Sequence, residues 1–196
     1  SYLLERLAFW AGDLLHQARA AGPDSDSLRT IFHRVLSDRT ADYMEISQQL
    51  SMLGWGRQDD YLCLVFQVTY LDQKNLTANT ICNYMEEWYP HTCSFLFQGD
   101  IVNFFNLSKA GTDVETLGCR LKYFIRESFL KAGYSRVMEG HGNLRRQYVQ
   151  ACVALDVGSR VKSYLWIHHF DAVAFPYLLE QCTKRLPGYM VCHPGL

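Results

Sequence analysis

Cys93-Ser94-Phe95-Leu96-Phe97-Gln98-Gly99-Asp100-Ile101-Val102-Asn103-Phe104-Phe105 reads as two short apolar runs on either side of a Gln-Gly-Asp turn. Aromatic and β-branched runs separated by residues that tolerate a tight reversal form the pattern of a β-hairpin. Upstream, Asn75 to Trp88 has helical spacing through Leu76, Ile81, Tyr84 and Trp88, and Pro90 stops it. Before that helix, Tyr61 to Tyr70 is almost continuously apolar or β-branched, as expected of a central strand covered on both faces. Downstream, Thr112 to Ala132 carries Leu117, Leu121, Phe124, Ile125 and Phe129 on one helical face, with Thr112 or Asp113 as cap and Gly133 just past the end. A brief strand at Tyr134 to Met138, a helix from Asn143 to Asp156 closed by Gly158, a strand at Tyr164 to His168 and a last helix from Ala172 to Arg185 complete the pattern. Strand, helix, hairpin, helix, strand predicts an α+β fold: a ferredoxin-like antiparallel sheet with helices on one face, preceded by N-terminal helices and followed by a C-terminal strand-helix extension.

The N-terminal helices are read from the same periodicity. Tyr2 to Ala20 places Leu4, Leu7, Ala11, Leu14 and Ala18 in steps of three and four, a narrow seam that suits docking or pairing with a second copy. Gly22-Pro23-Asp24-Ser25-Asp26-Ser27 breaks that helix, and Asp26 or Ser27 is expected to cap the next one, through Ser37. A third helix, Thr40 to Leu53, ends at Gly54. The expected divisions are a linker or dimerisation helix over 1–21, a helical lead-in over 27–58, the sheet domain over 59–158 and the extension over 159–196.

Composition narrows the function classes. With 196 residues, 48% hydrophobic and 20% charged, the chain can bury a sizeable core without disulfides or metal staples. Nineteen basic against twenty acidic residues lack the positive field with which a free-standing DNA binder displaces counterions. Seven scattered cysteines, most in apolar stretches, read as reduced thiols of a cytoplasmic protein. No stretch reaches the roughly 18 to 20 apolar residues of a membrane span, so no membrane partner is expected. No P-loop and no Gly-x-Ser-x-Gly elbow occurs.

The strand-helix-hairpin-helix-strand order with a Gly-Asp hairpin tip resembles the GGDEF domain of diguanylate cyclases. Further stretches are similar to the GGDEF-like domain of PucR/CdaR-type bacterial transcription regulators. These are Leu28 to Trp55 with its Gln49-Leu50-Ser51-Met52-Leu53-Gly54-Trp55 ending, Arg146 to Gly158, Trp166-Ile167-His168-His169-Phe170-Asp171, and Tyr177-Leu178-Leu179. The resemblance implies a module between a sensory region and a helix-turn-helix, with Leu196 falling where the DNA-binding segment begins. DNA contact is then expected only through a C-terminal helix-turn-helix domain absent from this chain, and the protein is expected to be a homodimer.

The same resemblance carries a chemical expectation. A cyclase needs a divalent metal to neutralise triphosphate and activate the attacking hydroxyl, and hard Mg²⁺ prefers clustered carboxylates. Aligned by pattern, the first-strand acid falls at Gln67, and the tip reads Gln98-Gly99-Asp100-Ile101-Val102 where the family signature is Gly-Gly-Asp-Glu-Phe. Gln67 is neutral and Ile101 has no ligand atom, leaving Asp100 and Asp72 as the nearby carboxylates. Glu86 to Phe97 also lacks the arginine of a product-binding Arg-x-x-Asp element. The expectation is therefore a non-catalytic domain without cofactor, metal site or catalytic residues, serving as a signalling and oligomerisation module. The alternative is a small-molecule or nucleotide sensor that retains binding at Gln67, Gln98, Gly99 and Asp100. His168-His169-x-Asp171 is read as buried or capping rather than metal-binding, because adjacent strand residues point to opposite faces.

Overall fold

The computed structural model describes residues 23–38, 42–68 and 77–184. The seam Leu4, Leu7, Ala11, Leu14 and Ala18, together with Asp72, lies outside the described residues. Helices α1 (Pro23–Ser37) and α2 (Tyr43–Met52) lead into strand β1 (Asp60–Val68), followed by α3 (Ala78–Trp88), β2 (Thr92–Phe97) and β3 (Asp100–Asn106). A single turn, α4 (Leu107–Ala110), precedes α5 (Val114–Glu127), β4 (Leu130–Tyr134) and the short β5 (Met138–Glu139). A 3₁₀ turn at His141–Asn143 then opens α6 (Leu144–Val161), and β6 (Ile167–His169) and α7 (Phe170–Thr183) follow.

The sheet order is β2-β3-β1-β4-β6, with β5 pairing β1. Both β1 and β2 pair antiparallel with β3, β1 pairs antiparallel with β4, and β6 adds parallel to β4. Each of the connections through α3 and α5 therefore skips a strand, which is the ferredoxin-like arrangement expected from the sequence.

β1 is central because both its faces are apolar. Leu62, Leu64 and Phe66 pack against Ile81 and Met85 of α3 and Leu117, Leu121 and Ile125 of α5. Tyr61, Cys63 and Val65 face Phe32 of α1, Leu50 of α2 and Ala151 and Leu155 of α6. The two crossover helices lie on one face as expected, while the lead-in helices and α6 cover the other. Phe32 anchors that second layer, stacking on Phe104 at 4.6 Å and meeting Trp55 edge-on at 5.0 Å.

A buried polar node ties the lead-in to α6. His141 shares hydrogen bonds with Ser47 Oγ (2.9 Å, through Nδ1) and with Tyr61 Oη (3.2 Å) and the Trp55 carbonyl (3.1 Å) through Nε2. Arg57 Nε donates to Ser47 Oγ at 2.6 Å. One imidazole thus joins α2, the Trp55 turn, β1 and the entry to α6.

Several boundaries differ from the sequence expectation. α1 is already helical at Pro23, so Asp26 and Ser27 lie inside the helix and not at its N-cap. α5 stops at Glu127, and Phe129 turns the chain at φ 51°. Leu130 to Tyr134 is strand, because pairing with Val68 through Leu64 of β1 satisfies its backbone better than another helical turn. Gly133 consequently lies within β4 instead of ending a helix. α6 likewise runs through Gly158 to Val161, because the missing side chain there admits the ring of His168.

Candidate functional site

The residues singled out from the sequence meet at one end of the sheet. Gln98 and Gly99 form the two-residue turn between β2 and β3, both left-handed at φ 53° and 95°, as a type I′ hairpin requires. The β1–β3 register runs Val65↔Val102 and Phe66↔Ile101, so Gln67 lies one step further on, level with Asp100. Odd positions of β1 and even positions of β3 face α6, which puts Gln67 and Asp100 on the same side of the sheet. Gln67, Gln98 and Gly99 are exposed and Asp100 is half-buried.

α6 completes this corner with two residues the sequence reading did not select. Tyr148 meets Phe97 edge-on at 5.5 Å and hydrogen-bonds Cys152, and both feel the charge of Asp100. Burial, with Asp100 adding to it, pushes the Cys152 thiol up to about 11, and burial also raises Tyr148. Burial alone raises the Asp100 carboxyl above its usual range. Lys131, opposite Gln67 in the register, instead donates from Nζ to the Ser163 carbonyl at 3.2 Å. Among the described residues, the corner therefore offers a single carboxylate, a phenol and a protonated thiol. The thiol lacks the electropositive surroundings that would make it a nucleophile.

Ile101 goes the other way. It is fully buried on the opposite face, in the cluster formed with Leu62, Leu64 and Phe66. A carboxylate at that position would have to be desolvated or expelled from the core. Among the described residues, no group of three or more His, Cys, Asp or Glu side chains is placed to hold a metal ion.

Compared with known families, residues 37–157 match the GGDEF-like domain, a span from the end of α1 through most of α6. The chain belongs to the GGDEF-like domain family. No curated protein and no solved structure matches it. The matched span contains all four candidate ligand residues and both α6 residues beside them, so the sheet corner is part of the GGDEF-like domain proper. The family points to a signalling module.

The remaining histidine motif is structural in its contacts. His168 is buried beside Gly158, while His169 turns to the other side and tilts on the Tyr134 ring at 4.8 Å. Asp171 pairs with Arg136 at 2.5 Å. Two open clefts of about 400 and 440 Å³ flank the outer strand β2 and share Arg29 and Phe95. Arg29 there is held by Glu86 of α3 at 2.6 Å, a pairing between positions far apart in the chain that no local pattern signals. Among the described residues, no helix is long and apolar enough to cross a membrane.

Proposed function

We propose that this GGDEF-like domain is a non-catalytic signalling and self-association module of a PucR/CdaR-type bacterial transcription regulator, passing a sensor's state to a DNA-binding domain outside this chain. The observation that supports this most strongly is the hairpin corner, where Gln67 and the core residue Ile101 occupy the two positions that the cyclase pattern gives to metal-binding acids. Phosphodiester synthesis from nucleoside triphosphates needs metal ions held at the phosphates, and Asp100, the one carboxylate among the described residues of the corner, is partly desolvated and poorly suited to hold them. The polar node at His141 favours a mechanical role, because it couples the lead-in helices to α6 and, through the packing of α6 on α7, to the C-terminal end of the described chain.

The test is incubation of the purified chain with GTP and Mg²⁺ or Mn²⁺, with chromatographic detection of pppGpG and cyclic di-GMP. The expected result is no product above a protein-free blank. Product formation that disappears in Asp100→Ala would overturn the reading. Calorimetric titration with GTP and cyclic di-GMP separates a scaffold from a sensor: micromolar binding abolished by Asp100→Ala would assign the corner to ligand sensing.

A further inference from the structure

Every proton in the buried node at His141 can be placed from its partners. The Trp55 carbonyl, 3.1 Å from Nε2, only accepts, and Tyr61 Oη, 3.2 Å from Nε2, already donates its own proton to the Gly56 carbonyl at 2.5 Å. Both contacts therefore need the imidazole proton on Nε2. A neutral ring has no second proton, so Nδ1 is a bare acceptor and the Ser47 hydroxyl, 2.9 Å away, donates to it. Arg57 Nε, which only donates, completes the order at Ser47 Oγ, 2.6 Å away. The hydrogen bonds thus run one way, from Arg57 through Ser47 and His141 to Tyr61 and the Gly56 carbonyl, and no donor faces a donor. Ser47 is 0% and His141 3% exposed, so bulk water does not stand in for a lost partner.

A second proton on the ring has only Nδ1 to go to. It turns Nδ1 into a donor aimed at Ser47 Oγ, which then meets two cationic donors, the imidazolium and Arg57, while the serine proton loses its acceptor. The charged groups that act on the ring, Arg57 and Asp59, both come from the turn after α2, whereas α2 and β1 face it with Ser47 and with a phenol that burial keeps neutral. Asp59 favours the charged ring but is committed elsewhere, its Oδ2 accepting from the Gly56 N–H and from Asn106 Nδ2, each at 2.7 Å. Burial, with Arg57 adding to it, outweighs that carboxylate and holds the ring below its ordinary value. The strain falls on α2, because that helix is lightly held. Its buried side chains are Ile46, Ser47 and Leu50, and the pairing of Glu45 with Arg34 is exposed, whereas β1 is bonded to β3 and β4 along its length.

We propose that this chain of hydrogen bonds is an acid-opened latch: protonation of His141 at Nδ1 reverses the Ser47 contact and releases α2 from the entry to α6 while the sheet stays folded. The proposal rests on the mechanical coupling read under Proposed function and adds what uncouples it. The released ring binds the extra proton more readily than the latched one, so the latch holds above about pH 6.5 and loosens as pH falls through the latched value. Acidification thereby disconnects the lead-in helices from α6 and α7.

Hydrogen exchange of the full chain, read by mass spectrometry from pH 7.5 to 5 and corrected for the intrinsic pH dependence of exchange, tests this. The amides of α2 and of Leu53 to Trp55 are expected to lose protection at least about 10-fold over that range, equivalent to one unit of difference between the latched and released ring, while those of β1 and β3 keep theirs. The ring ¹⁵N shifts of His141 should place the proton on Nε2 at pH 7.5 and show a titration that tracks the loss at α2. His141→Gln carries a donor and an acceptor and cannot be charged, so its α2 protection should stay level with pH. Ser47→Ala, which removes the relay itself, should show the released exchange of α2 already at pH 7.5. A ring proton on Nδ1 at pH 7.5, or α2 protection that stays flat while the ring titrates, would overturn the latch. So would loss of protection in α2 and β1 together, which is global unfolding without a separate release. These results leave the non-catalytic reading standing, since that reading falls only on nucleotide product. An α2 as protected in Ser47→Ala as in wild type at pH 7.5 would mean that the node couples nothing, and the mechanical reading would fail along with the latch.

Discussion

Gly133 has no room for a side chain. A Cβ added there would lie 2.1 Å from the Ala151 carbonyl oxygen and 2.8 Å from the Leu155 backbone nitrogen, so β4 and α6 approach through bare backbone. Nothing in that contact is a flexible side-chain end that could step aside. Gly133→Ala is expected to destabilise the chain by about 3 kcal/mol or more, the upper range for overpacking, as read from urea unfolding. Gly158→Ala, whose Cβ would meet the His168 ring at 2.4 Å and the His168 Cβ at 2.6 Å, should destabilise as well, since rotating the imidazole leaves the Cβ contact in place. A Gly133→Ala protein as stable as wild type would refute the close approach. Both glycines were visible in the sequence and misread there as helix ends, because glycine past an apolar helical run is the ordinary stop signal. Only the neighbour across the sheet distinguishes a stop from a packing gap, and that neighbour lies on another element.

At the scale of elements, the outer strand β2 is protected by a carboxylate. The Ser94 N–H points away from β3 and donates to Glu86 Oε1 at 2.8 Å, while Arg29 of α1 donates to both Glu86 oxygens. One acid therefore caps the free edge of the sheet and fastens α1 to α3. Glu86→Ala would leave a strand N–H without its partner and the partly buried Arg29 guanidinium with its looser 3.8 Å contact to Asp26, and the expected loss is about 2 kcal/mol. Arg34 and Glu45 link α1 to α2 at a similar 2.9 Å, but both side chains are over 40% exposed and screened by solvent, so Glu45→Ala should cost clearly less than Glu86→Ala. Urea midpoints of the two variants check the ranking, and equal losses would contradict it. β1 and the hairpin were legible because strands buried on both faces leave continuous apolar runs. The end of α5 was not, since Ala132 continues the helical phase of Leu117, Leu121 and Ile125, and only hydrogen bonding to β1 decides otherwise. The sheet corner was half legible: pattern placed Gln67 and Asp100 together, whereas Tyr148 and Cys152 arrive from a helix far along the chain and leave no local trace.

For the molecule as a whole, three histidines make acid the sensitive direction. His141, His168 and His169 all titrate below their ordinary value of 6.5, in each case chiefly because burial penalises the imidazolium. The unfolded chain therefore binds more protons than the native one as pH falls below about 6.5, and stability must decrease through the native pKa values; above 6.5 the full stabilisation is present. His141 makes the effect specific, because its neighbour Arg57 opposes a second positive charge within the node that holds α2, the Trp55 turn and α6 together. The carboxylates held low, Glu45 and Asp113, lose their own contribution only near and below the usual carboxylate range, while Asp100, raised by burial, works against the imidazole trend from the acid side, so the comparison with His141→Gln isolates that ring. Urea unfolding from pH 5 to 7.5 should give a midpoint that rises with pH and levels off towards 7.5, the buried His141 and His168 each contributing at most about 1.4 kcal/mol per pH unit and the solvent-exposed His169 less. His141→Gln should be less stable at pH 7.5, where the neutral ring serves the node well, and should have a shallower pH slope, since it removes one proton from the difference between the two states. A wild-type midpoint that stays flat from pH 7.5 to 5 would mean that these rings are solvated enough to charge freely in the folded protein. The node would then be a loose contact, unable to transmit strain from the lead-in helices to α6.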